Sequence, residues 1–517
     1  MKTLTALLHS LQTWEKVLLI SCIVAGAFLY FFQVNQTLQF QGDQGRDALI
    51  VSRIFTQHDF VFIGPVTSVG NMYLGPLYYY FMLPFLWVTY PSPMGPVYAV
   101  GALALLVIPL LYLFVRKLFG PTAAAAAVIL YTSSAVFVAH ARFSWNPNPE
   151  PIVMLGMLFG SYKAWIEKDH RYWLLVSLCF SALLQLHYVT LITAVGALFL
   201  WMLSFKTELK KYQKKRKKIL SSGFMRSTVL AIGLFLVSLT PLLLFDLKHD
   251  FLNARSFTEL ITSSNSFNPA HAAAEKQSSI IQMYDRTLQI LYFELLDDIH
   301  IATATTFFLL EVLVVLIFFI QSDSHKEKQS LLLLLFYLVP TCFALGMYNR
   351  DVYAHYILFA LLISVMLHGF VLAHAVRQHT HSITIVPLVL FLSAYIISNA
   401  RSLPLTPPSW TVSDIWHLSN TIADRVTPGE AYNISVINNG GDNEGMNYRY
   451  FLTTTNTPPL QKEEYDTAQT LFIINEMPFE VTNPTSSPLY EIVVFPNKIP
   501  AEVYTVGGDH QVVVLRR

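Results

Sequence analysis

Apolar runs of membrane-spanning length, broken by short polar stretches, fill the chain to about residue 400, where the pattern changes. The first run, Val17 to Val34, follows Lys2 and Lys16. It is long enough to cross roughly 30 Å of hydrocarbon and lacks a small-residue cleavage site, which predicts an uncleaved first helix with a cytoplasmic amino end. Further spans are expected at Val97 to Val115, Ala123 to Ala139, Ile152 to Ile166, Tyr172 to Leu186, Thr190 to Phe205, Val229 to Phe245, Thr305 to Ile320, Leu331 to Met347, Tyr356 to Leu372 and Ile383 to Ser398, about eleven in all. Beyond Arg401 the Pro-rich linker LPLTPPSW opens a stretch of ordinary soluble character. There Thr411 to Val426 has helical periodicity, and Tyr432 to Ile437, Thr470 to Ile474, Glu491 to Phe495 and Gln511 to Leu515 read as strands. The predicted fold is a polytopic α-helical membrane domain over residues 1–400 with a small extracytoplasmic α/β domain over residues 401–517.

One short segment sets the parity of the topology. Leu77 to Val88 is apolar and aromatic, but it follows Gly75 and Pro76 and carries Pro84. If it spanned, the basic loop Lys206 to Lys218 would face outward. As an interfacial or re-entrant segment it leaves Arg116, Lys117, Glu167 to Arg171, His325 to Lys328 and Arg377 to His381 on the cytoplasmic side, as the positive-inside rule requires. The first outer loop then covers about residues 35–93. Polar loops sort by face: Arg142 to Glu150, Leu186 to Tyr188, Asp246 to His300, Tyr348 to His355 and the tail join the first loop outside.

Composition sharpens this reading. Hydrophobic residues make up 54% of the chain and charged residues 13%, against about a quarter charged in soluble domains. A net charge of +1 hides the local asymmetry of Lys206 to Lys218, a topology determinant, and points to no nucleic-acid partner. Cys22, Cys179 and Cys342 all lie inside apolar runs and imply no disulfide framework.

Chemistry concentrates between Gln41 and Tyr80, where GDQGRDALIVSRIF places Asp43, Arg46, Asp47 and Arg53 just beyond a membrane helix. Ionisable groups held at a bilayer are costly and mark function. If the loop is helical, Asp43 and Asp47 share a face one turn apart. Each residue also has a plainer reading. Asp43 suits a helix N-cap, Arg46 and Arg53 suit lipid headgroups, Arg142 beside Phe143 and Trp145 suits an interfacial anchor, and Lys248 suits snorkelling.

The order of Asp43 with Gly45, Arg46 and Asp47, Gly75 to Tyr80 (GPLYYY), Arg116 to Gly120 (RKLFG), Arg142 to Pro149 (RFSWNPNP), Pro241 to Phe251 (PLLLFDLKHDF) and Asp351 to Tyr356 (DVYAHY) resembles the GT-C membrane glycosyltransferases. The likeness is to the dolichyl-phosphate-mannose protein mannosyltransferase-like and aminoarabinose-transferase-like group. It implies inverting transfer of a monosaccharide from a polyprenyl-phosphate donor to an acceptor on the outer face, with Asp43 as base and Asp47 as its helper. For the donor phosphate the candidate cations on the outer side are Arg46, Arg53, Arg142, Lys248 and His249. Asn146, Asn148, Tyr78, Tyr353, His355 and Tyr356 are expected to line the acceptor or sugar cavity. Two departures stand out: Gln44 follows Asp43 where many relatives have Glu, and Ser144-Trp145-Asn146-Pro147-Asn148 replaces a second Asp, leaving Glu150 to supply such a charge.

His140, His187 and His355 fall near the outer ends of spans, but their spacing matches no metal signature. No metal ligand is assigned; a divalent cation stays open as an alternative cofactor. The acceptor is left as protein, glycolipid or cell-envelope glycan, and membrane lipids surround the chain. The competing reading is a secondary transporter or lipid flippase, which would place ionisable residues near the bilayer midplane on broken helices.

Overall fold

The computed structural model describes residues 10–67, 72–214, 219–262, 279–296, 299–348, 351–377, 385–507 and 510–517. Each predicted span is helical. In chain order the helices are α1 (Thr13–Phe31), α2 (Gly42–Thr56), α3 (Leu77–Thr89), α4 (Met94–Phe119), α5 (Pro121–Ser133), α6 (Ala135–Ala141), α7 (Glu150–Ser161), α8 (Trp173–Leu186), α9 (Thr193–Lys214), α10 (Gly223–Ser238) and α11 (Thr240–Lys248). There follow α12 (Leu252–Thr262), α13 (Ser279–Leu288), α14 (Ile301–Gln321), α15 (His325–Gly346), α16 (Leu358–Arg377) and α17 (Ile385–Arg401).

Among the described residues, six helices are long and apolar enough to cross a membrane, or up to eight when the bent pairs α5 with α6 and α10 with α11 each count as one span. About eleven spans were expected, and six to eight reach spanning length among the described residues. Elements such as α8, of 14 residues, fall short of the roughly 20 that a perpendicular crossing needs. The chain is a multi-pass membrane protein.

Small residues bring the membrane helices together. The run Ala123 to Ala127 packs α5 against α16, and a methyl added to Gly369 would meet the Ala123 carbonyl at 2.6 Å. Lipid tails are as apolar as Leu, so such close approach, rather than hydrophobic exclusion, drives this contact.

The tail holds α18 (Val412–Ala423), α19 (Met446–Leu452), α20 (Tyr490–Val494) and the strands β1 (Tyr432–Ile437), β2 (Thr470–Asn475), β3 (Pro500–Val506) and β4 (His510–Arg516). The sheet order is β1-β2-β4-β3, with β1 parallel to β2 and the other pairs antiparallel. One expected strand is absent and one strand was not expected. Glu491 to Phe495 is covered by the short helix α20, because five residues fix no period. β3 went unpredicted because, as an edge strand, most of its side chains are exposed and show no apolar alternation.

Side chains of the central strands alternate between two cores. Ile437, Leu471, Ile473, Val513 and Leu515 face one cluster with α20. Ile434, Val436, Phe472, Ile474, Val512 and Val514 face another, which also contains Ala48, Leu49 and Val51 of α2 and Tyr78, Tyr79, Met82 and Leu86 of α3. The change of composition at residue 401 is thus no packing boundary, since the tail sheet and the first loop share one core.

Candidate active site at the first loop helix

Helix α2 starts at the extended Gln41, whose N–H donates to the Gln44 side chain at 2.8 Å. Asp43 is therefore not the N-cap; that place belongs to Gln41. Two glycines turn α2 toward the tail. A methyl on Gly45 would lie 2.4 Å from the backbone of Asn447, and one on Gly42 would meet the Asp442 carboxylate at 2.3 Å. Asn447 Nδ2 donates to the Phe40 carbonyl at 3.2 Å, and Phe40 packs on Tyr450 and Phe451. Helix α19 and the loop before it thereby fix α2 from one side.

On the other face Arg46 lies between the two carboxylates. Its Nη1 donates to Asp43 at 2.7 Å, while Nε and Nη2 donate to Asp47 Oδ1 at 3.0 and 2.8 Å. The Tyr79 hydroxyl donates to the same Asp47 oxygen at 3.1 Å. Asp43 is half exposed at 47% and Asp47 is buried at 1%. The second oxygen of Asp47 is buried without a hydrogen-bond partner among the described residues. Burial pushes the Asp47 carboxyl up to about 6, against the pull of Arg46. Sequence spacing had placed Asp43 and Asp47 on one face, and the structure shows them joined by one guanidinium.

The other predicted residues divide into three groups. Arg142 is buried, and its guanidinium donates to the carbonyls of Leu29 and Phe32 at 2.5 and 2.9 Å and to Thr37 Oγ1 at 2.5 Å. It closes the end of α1, so its guanidinium is spent on backbone carbonyls and a threonine hydroxyl. Arg53 reaches the tail instead, donating to Gln461 at 3.3 Å. Lys248 and His249 are exposed at the end of α11, where His249 stacks on Phe245. Within the same motif Asp246 accepts the Asn253 and Ala254 N–H groups at 2.8 and 3.2 Å and so caps α12.

A second group gathers as aromatic rings. Trp145 and His355 lie 4.4 Å apart by ring centroid, His187 and Tyr356 4.8 Å, and Tyr353 stacks on His355 at 5.6 Å. Burial lowers His355 to about 3, with His187 and His140 adding to the effect, so it stays neutral at physiological pH. The histidines do converge, but no group of three or more His, Cys, Asp or Glu side chains able to hold a metal occurs among the described residues. Asp351 is exposed, and the adjacent Arg350 lies outside the described residues.

The third group is buried structure. Tyr78 bonds Ser144 at 2.6 Å, Asn146 donates to the Leu186 carbonyl at 2.5 Å, and Asn148 donates to the Phe143 carbonyl at 2.7 Å. Tyr78 and Tyr79 are therefore packed inside rather than spread along the membrane interface. Glu150 is buried, and it accepts the Phe359 N–H at 3.4 Å, at the start of α16. That contact orders two helices and gives no support to Glu150 as a second active-site charge.

The pattern of the family dolichyl-phosphate-mannose-protein mannosyltransferase matches residues 75–239. No curated protein matches the sequence. The structure resembles that of ArnT from Cupriavidus metallidurans bound to undecaprenyl phosphate, at 12% identity and a TM-score of 0.59, covering 96% of this chain and 97% of that one. The fold is GT-C. A second GT-C structure, the oligosaccharyltransferase AglB from Archaeoglobus fulgidus in complex with an inhibitory peptide and a dolichol-phosphate, matches at 12% identity and a TM-score of 0.52, covering 94% of this chain and 71% of that one. The coverage of ArnT takes in the tail as well as the membrane helices.

Sequence reasoning missed the partners that reach this GT-C site from afar. Asp442 and Asn447 sit in NNGGDNEGMN, the Gly-rich stretch that follows β1 at the carboxyl end of a parallel strand. Such ends are where α/β sheets place functional loops, a signal that was readable. Also missed was a pair inside the membrane helices: Glu311, at the centre of α14, accepts the Tyr292 hydroxyl at 2.5 Å and faces His368 Nε2 at 3.7 Å.

Proposed function

We propose that this GT-C glycosyltransferase moves a monosaccharide from a polyprenyl-phosphate donor to a hydroxyl of an acceptor on the outer face of the cell membrane, with inversion. The observation that carries this reading is the Asp43–Arg46–Asp47 cluster on α2, the helix that packs between α3 and the tail. A phosphate is a good leaving group and needs no acid, only cations that take up its developing charge. Arg46 supplies one, with Lys248 and His249 at the membrane rim as further candidates. As the sugar C1–O bond to phosphate breaks and the bond to the acceptor oxygen forms, the acceptor proton passes to Asp43. The orientation that puts the amino terminus in the cytoplasm and the tail outside belongs to this reading, as does a metal-independent mechanism. ArnT and AglB, solved with polyprenyl phosphates, support a donor of that class.

The test is transfer of radiolabelled sugar by purified protein from a panel of synthetic polyprenyl-phosphate sugars, with and without a chelator. Product from at least one donor is expected, undiminished by the chelator. One observation favours the transporter or flippase alternative: the Glu311–His368 contact in the membrane helices. A chain that transfers nothing from any donor yet moves a lipid-phosphate sugar across vesicles would install that alternative instead.

A further inference from the structure

Arg46, the expected phosphate ligand, already has two carboxylate partners, and its two engagements are unequal. Toward Asp47 it offers two prongs, Nε and Nη2, in buried surroundings where Tyr79 adds a third donor. Toward Asp43 it offers Nη1 alone, onto a half-exposed carboxylate. Both prongs meet the one Asp47 oxygen, and buried charge-assisted bonds of this kind are strong, whereas an exposed single contact is weakened by water and salt. An incoming phosphate monoester therefore displaces the Asp43 contact first.

The surroundings make Asp43 ready to leave. The tail places Asp442 against Gly42, and Asp442 feels both Glu444 and Asp43 as like charges. On α2 itself the charged neighbours are Arg46 and Asp47; from α3 only the Tyr79 hydroxyl enters, through Asp47. Once Arg46 turns to a phosphate, Asp43 faces acidic groups on the tail side.

We infer that Arg46 is contested between Asp43 and the donor phosphate, so that donor binding frees Asp43 to receive the acceptor proton while Asp47 and Tyr79 hold the guanidinium in register. Asp47 is then a positioning residue acting through Arg46. The order of events follows: without donor the base is paired, and with donor it is released. This rests on the proposed transferase reading.

The experiment is calorimetric binding of farnesyl phosphate to the full chain in detergent, with farnesol as the phosphate-free control. Asp43→Asn, which removes the competitor, is expected to bind farnesyl phosphate about tenfold more tightly than wild type. Arg46→Gln is expected to weaken it by more than about tenfold, and Arg46→Lys, which keeps charge without the fork, to lie between. Farnesol binding should not change. Equal or weaker binding by Asp43→Asn, undiminished binding by both Arg46 variants, or the same tightening with farnesol would overturn the inference. A chain that shows the expected pattern but transfers no sugar keeps the contested arginine and removes the transferase reading. Active transfer by wild type, with farnesyl phosphate affinity unchanged in Asp43→Asn, does the reverse.

Discussion

Two arginine–carboxylate clusters lie at opposite ends of the first helical layers, and they are built differently. Near the start of α1, Glu15 is buried and fully partnered: one oxygen accepts Arg116 Nε at 2.5 Å and the Tyr112 hydroxyl at 2.7 Å, the other accepts the Gln12 N–H at 2.8 Å. Arg116 also reaches the Ser10 carbonyl at 3.2 Å. At α2, by contrast, Asp47 keeps one buried oxygen unpartnered, Asp43 is half exposed, and a single arginine serves both. Identical side-chain chemistry thus serves two ends. A buried pair with every lone pair met holds helices in place, whereas one left short of partners is poised for a ligand.

The largest effect that can break this contrast is on turnover. Asp43→Asn should lower transfer by about 10²- to 10⁴-fold while donor binding tightens, measured by steady-state assay beside a binding titration. Glu15→Leu should do the opposite: loss of about 1–3 kcal/mol of stability as the partly hydrated Arg116 is left unpaired, with transfer per folded molecule near wild type. Thermal unfolding in detergent and an active-fraction assay separate the two.

The tail contact gives the next test. Gly45→Ala forces a methyl against the Asn447 backbone and should cost about 1–3 kcal/mol, together with a fall in kcat. Gly42→Ala meets only the Asp442 side chain, which can rotate, and should have the smaller effect on both readouts. Equal effects would mean that the tail does not position α2.

The pH effect is smaller and has a fixed sign. Asp47 has its folded-state pKa raised to about 6 from an ordinary value of 3.8. The folded chain therefore binds this proton more tightly than the unfolded one. The stabilisation is fully present below about pH 4 and is lost as pH rises through about 6. Wild-type melting temperature should fall relative to Asp47→Asn across that window, and a parallel pair of curves would deny the burial. Smallest of all, Lys248→Ala should weaken donor binding by no more than about threefold, since an exposed cation is well screened.

How far the sequence revealed this depends on the range of each interaction. Helical spans, the strands β1, β2 and β4, and the shared face of Asp43 and Asp47 were legible because each rests on a local period. The role of Arg142 was not, because nothing near residue 142 shows that its partners are the end carbonyls of α1. Neither was the meeting of Gly45 with Asn447 or of Glu311 with His368, which join distant segments through packing. Edge strand β3 escaped for the opposite reason: its exposed faces leave no apolar signature.

The central claim is that the α2 cluster is where sugar is transferred, and one side-by-side assay tests it most directly. Labelled transfer from the best polyprenyl-phosphate sugar is measured for wild type, Asp43→Asn and Glu15→Leu, each normalised to folded protein. Product is expected with wild type and Glu15→Leu and almost none with Asp43→Asn. Full activity in Asp43→Asn, or loss confined to Glu15→Leu, would contradict it.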